Sequence, residues 1–207
     1  MPRFFMRFSA LLSVILLICI VFMFGYVGNL KANISDNLLR LHIVGESNST
    51  YDQLLKLCVR DRILKDFSSE LDGSASALEA SLRAENLLCE IEKSAEDELM
   101  KNGHSATVSA RIEECHFPTK SYGNISLPGG KYTALNIKIG KAEGRNWWCV
   151  MYPPLCLTNK SLVMPSSSEE LLKSNLSDEE YRLITEASSP DIKIKFRIAE
   201  ILGKYFS

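Results

Sequence analysis

The chain carries no Gly-rich phosphate loop, no EF-hand loop, no Gly-x-Ser-x-Gly and no His-Glu-x-x-His. The short signatures of nucleotide, calcium, serine-hydrolase and zinc-protease chemistry are therefore all missing. Net charge is scarce too. A formal −1 over 207 residues argues against a nucleic-acid binder that works by neutralising phosphates. Six cysteines are far too few for a disulfide-dense scaffold, and no internal repeat is visible. No catalytic set, metal, cofactor, nucleic-acid partner or small-molecule substrate is expected. The length left after an apolar N-terminal segment suffices for one domain with a real core.

That N-terminal segment sets the compartment. Arg3 and Arg7 precede an uncharged run, Phe8 to Gly28, interrupted by polar residues only at Ser9 and Ser13. About 20 helical residues span about 30 Å, the thickness of a bilayer core. Two readings stand, a retained anchor and a cleaved signal peptide. The run exceeds the usual signal h-region, and Leu30 spoils the best small-residue cleavage pattern, which ends at Ala32, so the anchor is favoured. Under either reading the basic residues hold the N-terminus in the cytoplasm and the body is exported. Three divisions follow: residues 1–28 as signal or anchor, 29–165 as the exported body, and 166–207 as a polar connection with an amphipathic helix packed on it.

Export permits disulfides. Of the five exported cysteines, Cys149 and Cys156 form the best pair, because Pro153-Pro154 between them favours a chain reversal. Such a short loop is worth about 2 kcal/mol. Cys58 and Cys89 fall on the apolar faces of predicted helices and are read as buried thiols.

Alternation predicts a strand over Leu38 to Val44, with Leu39, Leu41 and Ile43 facing the core and Arg40 and His42 on a polar face. Thr50 and Gln53 form a capping-box pattern for a helix to about Phe67. A second helix is predicted from about Ser76 to Lys101, burying Leu78, Leu82, Leu87 or Leu88, Ile91, Ala95 and Leu99. Ala106, Val108, Ala110 and Ile112 mark a further strand. Phe117 to Cys156 reads as a β-meander, with a type II turn at Leu127-Pro128-Gly129-Gly130. Ser177 opens a short helix, and Asp191 to Phe206 reads as another. The order points to an α+β fold, a mostly antiparallel sheet with helices packed on one face.

His104 follows a helix-ending glycine and is read as solvated; His42 is read as a surface residue. Cys115-His116 is the one adjacent thiol and imidazole, but neighbours on an extended chain point to opposite faces and cannot form a nucleophile–base pair with each other. Trp147 and Trp148 also point oppositely if they lie on a strand. One is expected in the core; the other is either shielded by a loop or exposed, in which case it is an interface anchor.

Three motifs carry a family resemblance. They are Arg40-Leu41-His42-Ile43-Val44 leading to Asp52-Gln53 and Val59-Arg60-Asp61; Phe117-Pro118-Thr119-Lys120-Ser121-Tyr122-Gly123-Asn124 with Leu127-Pro128 and Gly130; and Asn146-Trp147-Trp148-Cys149-Val150 continuing to Pro153-Pro154-Leu155-Cys156. Over roughly residues 30 to 157 the chain resembles stage II sporulation protein R of endospore-forming bacteria. Gly45-Glu46 departs from that family's usual Ala-Asn. The resemblance implies a signal exported from the forespore into the septal space, where it activates a membrane-embedded aspartic protease of the mother cell. That protease removes the pro-sequence of sigma-E, so the protein is the ligand and not the enzyme. Trp147, Trp148, Tyr122, Lys120 and Arg40 are the expected partner contacts. The rival readings are a secreted cell-envelope hydrolase and a structural septal protein.

Overall fold

The structure, a computed structural model, describes residues 2–156 and 166–186. The Asp191–Phe206 helix expected from the sequence lies outside them. Helix α1 runs from Pro2 to Asp36, and its Leu11–Asp36 part is long and apolar enough to cross a membrane and buries nothing against the body over its apolar window. Strand β1 (Leu39–Val44) follows, then α2 (Thr50–Asp72), α3 (Ala77–Asn86) and α4 (Leu88–Lys101). Strands β2 (Val108–Phe117), β3 (Lys120–Tyr122), β4 (Ile125–Leu127), β5 (Gly130–Ile139) and β6 (Asn146–Tyr152) come next. Helices α5 (Ser166–Asn175) and α6 (Asp178–Glu186) close the described chain. The fold is α+β, as expected.

The meander does not form as read. The main sheet has the order β2-β5-β1-β6, and β3 and β4 make a separate two-stranded sheet. β1 lies between β5 and β6, parallel to the first and antiparallel to the second. It takes this central place because both of its faces are buried: Leu39, Leu41 and Ile43 on one side, Leu38 and Arg40 on the other. Central strands are the ones covered twice. The sharp hairpin turn is also elsewhere. Gly123, at φ 58°, starts the two-residue β3–β4 loop, the position glycine takes in a II′ turn. Positive φ among glycines falls at Gly103, Gly123 and Gly140, so Gly129 does not make a type II turn.

Helices α2, α3 and α4 cover the first face. Leu55, Val59, Ile63, Phe67 and Leu71 of α2 and Ile91, Ala95 and Leu99 of α4 pack with the β1 face into one apolar cluster. Ser49 caps α2, its Oγ accepting from the Asp52 N–H at 3.0 Å. The cap is one residue earlier than Thr50, and the helix runs one turn beyond Phe67. The expected long second helix is two, broken at Leu87. Its first half is also rotated from the expected face: Leu78 and Leu82 are 69% and 52% exposed, and Ala77, Ala80 and Ala84 are buried instead. Small residues let α3 approach the sheet closely, which two leucines on that stripe would prevent. Cys89 is exposed and Cys58 half-buried, so neither is the core thiol expected.

Among the described residues, the second face is covered over one half only. Ile34 and Leu38 at the end of α1, Ile125 and Leu127 of the hairpin, and Leu172, Leu176 and Ile184 of α5 and α6 pack with Phe117, Tyr132, Ala134 and Val150. Ser177 and Glu180 exchange reciprocal bonds (2.9 and 3.3 Å) that start α6, a capping box.

Candidate functional site

β5 and β1 run away from the end of α1, and β2 and β6 run back toward it. The second sheet face therefore has a half near α1, which is covered, and a far half, which no described residue covers. The residues singled out by the sequence distribute across this boundary.

Arg40 is the largest fully buried side chain. It does not present to a partner, and its reading as a surface contact is corrected. The sheet pleat sends it toward the second face, which is dry here because the hairpin and helices cover it. Its Nε donates to the Cys149 carbonyl at 2.8 Å and one Nη to the Tyr122 hydroxyl at 2.9 Å. The guanidinium lies 4.2 Å from the Phe117 ring centroid and 4.8 Å from that of Tyr132. Burial pulls its pKa below the ordinary value, though an arginine remains charged. Rings take the place of a counter-ion, since a π face attracts a cation. Tyr132 donates to the Pro128 carbonyl at 2.6 Å, and burial pushes its pKa up to about 12. Tyr122, half-buried, also donates to the Trp148 carbonyl at 3.3 Å. Arg40 thus ties β1, β3 and β6 together from inside.

The two tryptophans do point to opposite faces, but each is half-buried. Trp147 packs against the helical cluster, with the Arg60 guanidinium 4.3 Å from its ring centroid. Trp148 faces the other way. It stacks on His42 (centroids 3.9 Å apart, 13° between planes) and touches Phe117 at 4.6 Å. His42 is accordingly no free surface residue: its Nε2 bonds Asn146 Oδ1 at 2.9 Å, and burial lowers its pKa. Lys120 is exposed on β3, in the covered half.

Cys149 and Cys156 are joined in the structure, with Cα atoms 5.4 Å apart. Cys115 is buried and His116 exposed. Burial raises the Cys115 pKa, which keeps the thiol protonated and unreactive. No nucleophile–base pair arises from these two.

Sequence reasoning missed a cluster at the far end of the body. Glu46, Asp52 and His104 bring ligand atoms within 4.8 Å of one another. His104 is not solvated as read; its Nε2 meets Glu46 at 2.9 Å. The Asp52 carboxylate accepts from Ser47 Oγ, and its bonding to the Ser47 and Ser49 side chains lowers its pKa. The cluster clips the β1–α2 turn to the α4–β2 connection, and each group already has a partner. Beside it, the Gly144 N–H donates to the Gly45 carbonyl at 2.8 Å. Glu46, which departs from the family pattern, is spent on this clip.

Between β2 and β5, on the far half of the second face, lies a groove of about 200 Å³ lined by Ser109, Arg111, Glu113, Asn136 and Lys138. Asn136 donates to Glu113, and Lys138 stands 3.9 Å from the same carboxylate. No motif announced it. Polar alternation along β2 alone does not distinguish a groove from an ordinary solvated face.

The fold and these sites define a small α+β body carried behind a helix able to cross a membrane, with one sheet face partly uncovered. The chain belongs to the stage II sporulation protein R family: the family model matches residues 35–162, from the end of α1 through β6, the last described strand. It is 38% identical over 128 residues to the stage II sporulation protein R of Bacillus subtilis (strain 168). That match covers 62% of this chain and spans 57% of the relative's length. No solved structure matches.

Proposed function

We propose that this chain is an exported sporulation signal. It is made in the forespore, crosses into the septal space, and activates the membrane-embedded aspartic protease of the mother cell that processes pro-sigma-E. It acts as a ligand and not as an enzyme. Residues 1–28 serve as signal or anchor and 29–165 form the signalling body, on which the helices of residues 166–186 pack.

The family match across every described strand of the body carries this reading. The apolar N-terminal helix is compatible with export or anchoring. The test is deletion of the gene in its spore-forming host, with pro-sigma-E followed by immunoblot through early sporulation. Accumulation of uncleaved precursor supports the proposal. Cleavage at the normal time and extent refutes it.

A further inference from the structure

We infer that the uncovered far half of the second sheet face is the docking surface for an extended, carboxylate-bearing segment of a protein partner. This rests on the signalling reading above and names the surface that reading requires.

Placement is the first observation. α1 enters the sheet at Leu39, and the groove runs from Glu113, level with Arg40, to Ser109 and Lys138 at the other end of the strands. From Gly130 to Lys138, β5 advances about 27 Å at about 3.4 Å per residue. A body held to one membrane by α1 therefore turns this half of the face away from that membrane. The covered half, which contains Arg40 and the hairpin, stays near it. A partner in an opposite membrane meets the groove first.

Chemistry is the second. Asn136 is only 5% exposed, yet it lines the groove and its Oδ1 has no hydrogen-bond partner. A buried orphan acceptor is costly, and a bound chain can supply the missing N–H. His42, its neighbour in register on β1, likewise leaves Nδ1 without a partner. With Trp148 stacked on it, His42 forms an aromatic wall along one side. The one acid on the floor, Glu113, is already engaged by Asn136 and Lys138. Arg111 is exposed and makes no hydrogen bond or ion pair with any described residue. The unspent charge facing a ligand is thus a guanidinium, the group best shaped to grip a carboxylate.

The neighbouring sheet edge points to the same place by exclusion. Glu96 and Glu92 of α4 accept from the backbone N–H groups of Val108 and Ala110 at 3.0 and 2.8 Å. These caps block strand addition along the far end of β2, so a chain arriving there lies across the face.

The experiment uses the full-length protein in its sporulating host. A photo-crosslinking amino acid replaces Ser109, and in a control strain Lys93, which is exposed on α4 across the sheet. Arg111→Glu and Ser109→Trp are scored for pro-sigma-E processing, with exported-protein abundance and thermal unfolding measured alongside. Ser109→Trp fills the groove from an exposed position, so it stays informative if Arg111→Glu harms folding. The expected result is a Ser109 adduct with the mother-cell protease, none from Lys93, and at least about a tenfold loss of processing in both variants at normal abundance. Processing at the wild-type level in both variants overturns the surface, and so does a Ser109 adduct only with a second copy of this chain. If deletion still abolishes processing in that case, the signalling reading stands and only the surface is wrong. If deletion leaves processing intact, the signalling reading falls and the docking inference falls with it.

Discussion

Arg40 offers the sharpest test of how the covered half is built, because two opposed terms meet in one side chain. Burying its charge costs several kcal/mol. Against this stand two hydrogen bonds, at 2.8 and 2.9 Å, and ring faces at 4.2 and 4.8 Å. Arg40→Met keeps most of the volume and removes the charge. It leaves the Cys149 carbonyl unpaired, at about 1–3 kcal/mol, and the relief of charge burial roughly offsets that. Arg40→Ala loses the same bonds and also opens a cavity among Phe117, Tyr132 and Val150, where emptying a site of this size costs about 2–5 kcal/mol. The prediction is that Arg40→Met lies within about 1 kcal/mol of the parent and Arg40→Ala about 2–4 kcal/mol below Arg40→Met. Urea unfolding of the full-length chain in detergent micelles measures both. Tryptophan fluorescence reports it well, since Trp148 touches Phe117, against which the guanidinium lies. Signalling by Arg40→Met should survive at normal abundance, because the residue presents nothing to a partner. An alanine variant as stable as the methionine one would refute the packing argument. A stable, abundant methionine variant that has lost signalling would restore Arg40 as a contact.

Gly144→Ala should destabilise the chain by at least about 2 kcal/mol in the same urea assay. An added Cβ would sit 2.3 Å from the Ser47 carbonyl oxygen and 2.7 Å from that of Gly45, and backbone on both sides cannot step aside. Thiol labelling of the denatured exported protein should rise by two cysteines on reduction, and replacing Cys149 and Cys156 together by alanine should cost about 2 kcal/mol. No change in labelling would contradict the pairing. Alkali should weaken the fold through Tyr132. The unfolded chain releases this proton near the ordinary value of 10.0 and the folded one near about 12, so the stabilisation is full below pH 10 and drains away as pH rises toward 12. Two pH units at 1.36 kcal/mol each give about 3 kcal/mol. Urea midpoints at pH 9 and pH 11 check the slope, and Tyr132→Phe should flatten it.

The chain's periodicities carried the element types well, and the faces less so. β1, α2, β2 and α6 stand close to where alternation, caps and breakers put them. Three misreadings share a cause, namely that hydrophobicity was taken as the mark of burial. Leu78 and Leu82 looked like the core of α3, yet the close approach to the sheet selects Ala80 and Ala84. Arg40 and His42 looked like a solvated face, yet the hairpin and the end of α1 cover Arg40, and Trp148 covers His42. Period-2 patterning tells which residues share a face and not whether a distant segment covers it. The strand order was illegible for a similar reason. β5 and β6 are near neighbours in sequence, but β1, some 90 residues earlier, takes the place between them. The Glu46–His104 clip and the Arg111–Asn136 groove arise only from such long-range placement. Cys149 and Cys156 lay within a local turn, and their proximity was readable from Pro153-Pro154.

The central claim is that the exported body alone switches on its protease. The most direct measurement is co-production of this chain, the mother-cell protease and pro-sigma-E in vegetative cells that do not sporulate, with pro-sigma-E cleavage followed by immunoblot. Cleavage should appear with the exported chain and be lost when residues 1–28 are deleted and the body stays in the cytoplasm. Equal cleavage with and without this chain, or full cleavage with the cytoplasmic body, would contradict the claim.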